Sequence, residues 1–368
     1  MIYIVVFLLS LVFTHLASRA KGRFAQIIFS ILALLFPVLL AGFRDSTVGT
    51  DTQNYITFFD IAIGQPSLKN YIDSVPDLEI GYVLLTYLSA KITLFSQVYL
   101  IIVSAFILIP VYLAAFNLKN KLNPTMVMSV FYLLFYNESL NLMRQYLAMG
   151  IILLAVSYLI LNKKMLFFIG MSIAISFHTT AILALPIYFI PRLVNSRPIR
   201  KNALLYVIVS IILIAFVMGG NWMGIGFGMG LNDRQMSYLE NSSNSSISMS
   251  TFIVYFTVFA ALFYKSMKQR QLNYLVDFYT VMSLIALSLL LTSLFSHTFY
   301  RFSLIFSVAS CLSIPSVCYR TDNNIIIKPY SKGVTAILLL LFFAYWYFAV
   351  VIRGSNETYP YNSILLGL

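Results

Sequence analysis

The sequence predicts an all-α polytopic membrane protein, because of its composition, its hydropathy and the long apolar runs that recur along the chain. Of its 368 residues, 60% are hydrophobic and only 10% are charged, and the mean hydropathy is +0.87. A soluble globular protein has roughly 45–50% apolar and about 25% charged residues. Since the apolar runs extend along the whole chain, we expect a single transmembrane domain over residues 1–368.

About 12 apolar runs are candidate membrane-spanning helices. The shorter ones need neighbouring loop residues to reach the roughly 20 residues that a full crossing requires. The runs are Met1–Ala17, Phe24–Phe43, Val98–Phe116, Met126–Asn137, Met143–Leu161, Met165–Phe177, Ala181–Ile190, Ala203–Met218, Phe252–Tyr264, Phe278–Phe295, Phe302–Val317 and Val334–Ile352.

The distribution of charge predicts the orientation of the chain. No basic residue precedes the first run, Met1–Ala17, whereas the basic segment Arg19–Arg23 follows it. A secretory signal carries its positive charge ahead of the apolar core, so we expect an uncleaved first span with its N-terminus outside. Most of the 24 Lys and Arg residues then fall inside, but of the 12 acids only Asp277 and Asp322 do. This is the positive-inside pattern.

The segment Gly81–Phe95 is only moderately apolar and contains Lys91. We expect it to be a re-entrant or interfacial helix, within an outer-face loop that covers residues 44–97. The rival arrangement makes it a full span with the N-terminus inside, which would bring the acids between Asp45 and Glu79 into the cytoplasm. A second outer-face loop, residues 219–250, is rich in glycine and serine and is predicted to be flexible.

The remaining composition excludes several classes of site. The net charge of +12 comes from basic residues in short loops between apolar runs, which predicts contacts with lipid headgroups rather than with nucleic acid. Cys311 and Cys318 lie in one apolar run and indicate neither a disulfide framework nor a metal motif. We therefore expect no metal and no cofactor.

Three arginines stand near the predicted outer face, and apart from Asp45, which follows Arg44, no acid is adjacent to them in the sequence. Arg44 ends one span, Arg144 begins another, and Arg301 follows Tyr300 in a third outer turn. The planar guanidinium suits phosphate oxygens and keeps its charge in a site of low dielectric constant. Gly49 permits a turn that exposes neighbouring amides to an anion. Together they predict a site for a lipid-linked diphosphate.

Two nearby polar residues have a structural interpretation as well as a functional one. Asp51 is a candidate N-cap for a helix that begins near Tyr55. His178 lies in the polar turn between two short apolar runs, where it could bond a nearby carbonyl. The sequence leaves both interpretations open.

A set of motifs in fixed order covers nearly the whole chain. They are Gly42–Tyr55 (GFRDSTVGTDTQNY), Glu79–Tyr82 (EIGY), Arg144–Ala148 (RQYLA), Ala174–Ala181 (AISFHTTA), Tyr300–Arg301 and Tyr359–Tyr361 (YPY). This ordered set resembles the EpsG-like branch of the Wzy polysaccharide polymerases.

The resemblance implies a GT-C-like polymerase that builds O-antigen, capsule or exopolysaccharide at the outer face of the inner membrane. The growing chain on undecaprenyl diphosphate would be the donor, and a single lipid-linked repeat unit the acceptor. Besides membrane lipids, such an enzyme would work alongside a chain-length regulator and a flippase. The long outer loop of the classical branch is missing, so arginine roles known there do not transfer by position.

The implied reaction assigns roles to the candidate residues. Transfer from a diphosphate needs positive charge at the leaving group and a base at the acceptor hydroxyl. The diphosphate-binding candidates are Arg44, Arg144, Arg301 and Gly49; the base candidates are Asp51, His178 and, third, Glu79; the substrate-binding candidates are Tyr55, Gln145, Tyr300 and Tyr359. We expect inversion at the anomeric carbon and no metal. The alternatives are a flippase for the lipid-linked saccharide and an O-antigen ligase.

Overall fold

The computed structural model describes residues 2–219, 248–268, 273–294, 298–322, 325–329 and 332–367. These residues are predominantly helical, with one short antiparallel hairpin of strands β1 (Tyr319–Asp322) and β2 (Ile325–Pro329). Most of the predicted loop 219–250 falls on residues 220–247, which lie outside the described residues.

The helices of the first half are listed in chain order. They are α1 (Ile2–Arg19), α2 (Arg23–Gly42), α3 (Thr52–Gly64), α4 (Leu68–Ser74), α5 (Ile80–Ile92), α6 (Ser96–Asn117), α7 (Pro124–Leu134), α8 (Tyr136–Asn141), α9 (Met143–Ile160) and α10 (Lys164–Phe177).

The second half begins with a 3-10 helix over Thr179–Phe189. The α-helices that follow are α11 (Ile190–Ser196), α12 (Ile199–Gly219), α13 (Met249–Lys268), α14 (Tyr274–Thr292), α15 (Thr298–Ser307), α16 (Ser310–Cys318) and α17 (Lys332–Trp346). Helix α17 continues as a π-helical turn, Tyr347–Ile352, and a short 3-10 turn, Ser355–Glu357, comes after it.

The helices confirm the predicted fold class, a polytopic membrane protein. Within the described residues, 7 helices are long and apolar enough to cross a membrane, or 8 if α15 and α16, which meet at a 45° bend, form one span. Helices α5, α7 and α10 are apolar but shorter. The total of about twelve spans stays a prediction.

The chain divides into two compact units. The first contains Met1–Ile182 and Cys318–Leu368, and the second contains Leu183–Val317. In the second unit, Asp277 at the start of α14 is 1% exposed. Its carboxylate accepts hydrogen bonds from the Ile199 amide at 3.1 Å and from the Ser266 hydroxyl. A buried carboxylate needs such donors, and here they join α12, α13 and α14.

The core of the first unit is built on close contact between α6 and α9. A Cβ placed on Gly150 of α9 would lie 2.7 Å from the carbonyl oxygen of Ile107 on α6. Glycine therefore allows the two backbones to approach closely, which is a common packing device among membrane helices.

The C-terminal segment returns to the end of α2. The Tyr361 hydroxyl donates to the Leu40 carbonyl at 2.9 Å, and the Ser363 hydroxyl donates to the Phe43 carbonyl at 2.6 Å. The Asp45 amide donates to the Asn362 carbonyl at 3.0 Å. The loop after α2 is thus held on one side by residues from the far end of the chain.

Helices α5 and α10 also touch through a glycine. A Cβ on Gly81 would lie 2.6 Å from the Ser176 hydroxyl oxygen and 2.7 Å from the Ser176 carbonyl oxygen. Because a backbone atom cannot move aside as a flexible side chain can, this contact requires glycine. The start of α5 is thereby set against the end of α10.

We expect Gly81→Ala to destabilise the folded protein by about 1–3 kcal/mol, since the added methyl group overpacks this contact. Thermal unfolding of the purified protein in detergent measures the effect. The matched control is Gly64→Ala, because Gly64 also lies in a helix but has open space where the Cβ would go. Equal melting temperatures for the two variants would contradict the prediction.

Candidate active site

Glu79 joins two of the predicted site residues through its two carboxylate oxygens. Its Oε2 accepts from Arg144 Nη1 at 2.6 Å, and its Oε1 lies 2.8 Å from His178 Nδ1. The side chains of Glu79, His178 and Arg144 are 8%, 17% and 29% exposed. The three residues therefore form a polar cluster that is mostly buried but open at Arg144.

Each residue of this cluster stands at the end of a helix. Glu79 is the N-cap of α5, His178 is the C-cap of α10 in an extended conformation, and Arg144 lies in the first turn of α9. The close contact at Gly81 brings the first two together. Helix ends suit such a site, because side chains there leave the apolar packing between helices.

The Arg144 guanidinium is positioned by two tyrosines as well as by Glu79. Its Cζ lies 5.9 Å from the centre of the Tyr82 ring, within the range of a cation–π contact. The Tyr55 phenol lies close enough to Arg144 for both the guanidinium and the backbone amide of that residue to lower its pKa. Burial raises the pKa of Tyr55, and Arg144 offsets part of that rise, so this phenol stays protonated.

The ion pair corrects the expectation that Arg144 has no acid close to it. Sequence proximity misled here, because Glu79 lies 65 positions away along the chain. Burial acts to raise the pKa of Glu79, but the His178 hydrogen bond and the charge of Arg144 outweigh it and lower the pKa to about 2. A carboxylate held this firmly in its ionised form is a poor proton acceptor, so the geometry favours an orienting role for Glu79.

His178 forms a carboxylate–imidazole pair with Glu79. Glu79 engages Nδ1, and Nε2 has no hydrogen-bond partner among the described residues. When a carboxylate accepts the Nδ1 proton, the neutral ring keeps a lone pair on Nε2. The contact to a nearby carbonyl that the sequence left open is not the one observed.

Asp51 is the N-cap residue of α3, but its side chain makes no capping hydrogen bond. The Asp51 amide donates to Oδ1 of Asn141 at 2.7 Å, and the Thr50 hydroxyl donates to the same atom at 2.8 Å. The Asp51 carboxylate is near Tyr55, where its charge acts on the phenol. Asp51 thus stays a candidate base next to the cluster.

The backbone amides of Gly49 and Thr50 donate hydrogen bonds to carbonyls of the C-terminal segment. Gly49 has a φ of +96°, as the predicted turn requires. Its N–H donates to the Glu357 carbonyl at 3.0 Å, and that of Thr50 donates to the Asn356 carbonyl at 3.2 Å. The predicted anion contact of Gly49 is therefore not available in this arrangement, since the C-terminal segment occupies its donor.

Arg44 also differs from the expectation of a guanidinium open to a ligand. The residue is 1% exposed, and it donates to the carbonyls of Ala41 and Leu140, the latter at 3.1 Å. A guanidinium enclosed by backbone oxygens cannot reach a bound diphosphate. In this structure Arg44 is a core residue of the first unit.

The other predicted residues lie in different surroundings. Gln145 is 4% exposed, and Tyr359, in the C-terminal segment, is 37% exposed. Tyr300 and Arg301 lie on α15 of the second unit and are half-buried. Contacts of these four residues with a substrate stay predictions.

Sequence reasoning passed over two residues of the site. Tyr82 packs against the Arg144 guanidinium. Its position in the motif Glu79–Tyr82 could have identified it from the sequence. Asn141 holds residues 50 and 51 and also donates to Oδ1 of Asn356 at 3.3 Å. The sequence offered less reason to select Asn141, because it is one of several polar residues in the stretch before Arg144.

Within the described part of the chain, no group of three or more His, Cys, Asp and Glu side chains could hold a metal ion. Among curated proteins and solved structures, none matches the chain. The model of the EpsG family, a family of Wzy-like polymerases, matches residues 27–363. This range contains all of α3 to α17 together with every residue of the cluster. The chain therefore belongs to the EpsG family.

Proposed function

We propose that this membrane protein is a polysaccharide polymerase. It transfers the growing glycan from undecaprenyl diphosphate onto the sugar of a lipid-linked repeat unit. Membership of the EpsG family supports a polymerase-like function. The finer assignment rests on the contacts of Glu79. One oxygen of its carboxylate binds Arg144, a residue type suited to phosphate, and the other binds His178, a residue type suited to act as a base.

Arg144 stabilises the leaving group. As the glycosidic bond to the donor breaks, negative charge develops on the diphosphate. A guanidinium has five N–H donors, so its Nη1 bond to Glu79 leaves others for phosphate oxygens. Tyr55 and Tyr82 fix its plane before substrate binds, and such preorganisation is what makes electrostatic stabilisation effective.

His178 removes the proton from the acceptor. Its Nε2 takes the proton of the attacking hydroxyl while the acceptor oxygen bonds to the anomeric carbon. The bond from that carbon to the diphosphate breaks, and undecaprenyl diphosphate leaves with the electron pair. Glu79 stabilises the imidazolium that forms, which then releases its proton to solvent. A single displacement of this kind inverts the anomeric configuration.

The proposal places the cluster at the outer face of the inner membrane. The charge pattern of the loops supports this orientation. The lipid carrier would present its diphosphate at headgroup depth, which is where residues at helix ends lie. No metal is invoked in this mechanism, because the arginine supplies the positive charge.

We expect Arg144→Lys to abolish polymerisation, with the elongation rate falling about a hundredfold or more, because an ammonium lacks the planar fork. Cells without the gene, complemented with each variant, are compared by polysaccharide gel. The ladder should be lost while single repeat units stay on the surface. The matched control is Arg353→Lys, since Arg353 is exposed.

A near-normal ladder from Arg144→Lys, at a normal protein level, would contradict the role of this arginine. In the same experiment, loss of all surface glycan from cells without the gene would indicate a flippase or a ligase instead.

We expect Glu79→Gln to reduce elongation about a hundredfold or more, because an amide cannot favour the required ring proton on His178. It should also cost about 2 kcal/mol of stability through its hydrogen bonds to charged groups. The folded pKa of Glu79 is about 2 and its ordinary value is 4.5. A carboxylate with a lowered pKa stabilises fully above its unfolded pKa and progressively less as pH falls towards the folded one.

Thermal unfolding across pH tests this linkage. The gap in melting temperature between wild type and Glu79→Gln should stay constant above about pH 6 and shrink below the ordinary pKa of 4.5. A gap that widens as the pH falls would have the wrong sign.

We expect a cysteine at Thr47, which is exposed, to react with a membrane-impermeant maleimide in intact spheroplasts. The control is a cysteine at Lys163, which lies at the opposite end of α9 and should react only after permeabilisation. Cys311 and Cys318 are buried, so background labelling should be small. The reverse labelling pattern would overturn the proposed orientation.

A further inference from the structure

The helical chain is interrupted immediately before Arg144. Helix α8 ends at Asn141, α9 begins at Met143, and Leu142 between them has φ −89° and ψ 52°. In a continuous helix the Arg144 N–H would donate to the Leu140 carbonyl four residues earlier. That hydrogen bond is not formed, so each half of the pair needs another partner.

Arg44 satisfies the carbonyl half of the interrupted pair. Its Nη2 donates to the Leu140 oxygen at 3.1 Å and lies 3.4 Å from the Met143 sulfur. Its Nη1 donates to the Ala41 carbonyl at the end of α2. The side chain therefore ties the end of α2 to both sides of the break, and a side chain inserted into the hydrogen-bond ladder is a recognised cause of helix kinks.

Tyr55 lies at the amide half. Its phenol is close enough to the backbone N–H and the guanidinium of Arg144 for both groups to act on its pKa. Tyr55 is 6% exposed, and its ring packs edge-on against Tyr82 with the centres 5.9 Å apart. The position of the hydroxyl is thus fixed by packing rather than by solvent.

We propose that Arg44 and Tyr55 are positioning residues that hold the chain open at Leu142 and thereby aim the Arg144 guanidinium at its ligand. The inference rests on the proposed function for the role of Arg144, but the interruption itself does not. Both residues belong to the motif Gly42–Tyr55, so one segment of the chain serves the two halves of the break.

The contacts of Arg44 distinguish positioning from ligand binding. Among the described residues Arg44 has no carboxylate partner, and its two terminal nitrogens are directed at backbone carbonyls. A point charge can serve carbonyl acceptors, whereas recognition of a diphosphate uses the planar fork. Lysine should therefore replace Arg44 better than it replaces Arg144.

The test is a double-mutant cycle between Arg44→Met and Arg144→Met. Purified variants in proteoliposomes elongate an undecaprenyl-diphosphate-linked repeat unit, and turnover is expressed per folded protein. Arg44→Met alone should lower turnover about tenfold, and it should have no further effect in the Arg144→Met background. Arg44→Lys should restore much of the turnover, and the control Arg353→Met should match wild type. A second full loss in the double variant would overturn the proposal.

If Arg44→Met does not fold, Tyr55→Phe replaces it in the double-mutant cycle, because this change removes only a hydroxyl group. It should also lower turnover, without a further effect in the Arg144→Met background. Additive losses would count against positioning.

Hydrogen exchange of the peptide over residues 138–146 separates this proposal from the proposed function. Should Arg144→Met leave turnover unchanged, the proposed role of Arg144 fails. The positioning claim is then decided by exchange, which should change in Tyr55→Phe and in Arg44→Met but not in Arg353→Met. Unchanged exchange in both variants would refute it.

Discussion

The division of one carboxylate between a guanidinium and an imidazole is the interaction on which the site depends. Glu79 brings together residues from the starts of α5 and α9 and from the end of α10. Because its side chain is mostly buried, removal of Arg144 would leave an unbalanced charge, and removal of His178 would leave one carboxylate oxygen without its hydrogen bond. The same carboxylate thus sets the direction of the arginine, the tautomer of the histidine and the approach of three helices.

The interruption at Leu142 gives the cluster its second constraint. On a continuous helix the guanidinium would be oriented by Glu79 and Tyr82 alone. Here Arg44, from the loop after α2, also holds the backbone before the break, and Tyr55, from α3, lies at the Arg144 amide. That loop is in turn closed by the C-terminal segment, whose carbonyls take the amides of Gly49 and Thr50. Residues far apart in sequence therefore determine the position of one arginine.

Hydropathy was sufficient for the membrane class and for most helix positions, because apolar runs must bury themselves in lipid or protein. Hydropathy was less informative where tertiary contacts determine the backbone conformation. The run Ala181–Ile190 forms a 3-10 helix up to Phe189 rather than an α-helix, and no proline or glycine marks the break at Leu142. The ion pair of Glu79 with Arg144 is a long-range contact that no local pattern encodes. Arg44 at a span end was expected to reach the headgroups, and only the carbonyls around it explain its burial.

The helix ends also place partial charges of opposite sign at Arg44 and at the cluster of Glu79, Arg144 and His178. Arg44 lies at the carboxyl ends of α2 and α8, where the helix macrodipole is negative and favours a buried cation. Helices α3, α5 and α9 instead begin around the cluster, at Thr52, Ile80 and Met143. Each contributes partial positive charge there, worth about 0.3–1 kcal/mol towards an anion. Restarting the helix after Leu142 therefore places a positive helix terminus beside Arg144, which a continuous helix would not have offered.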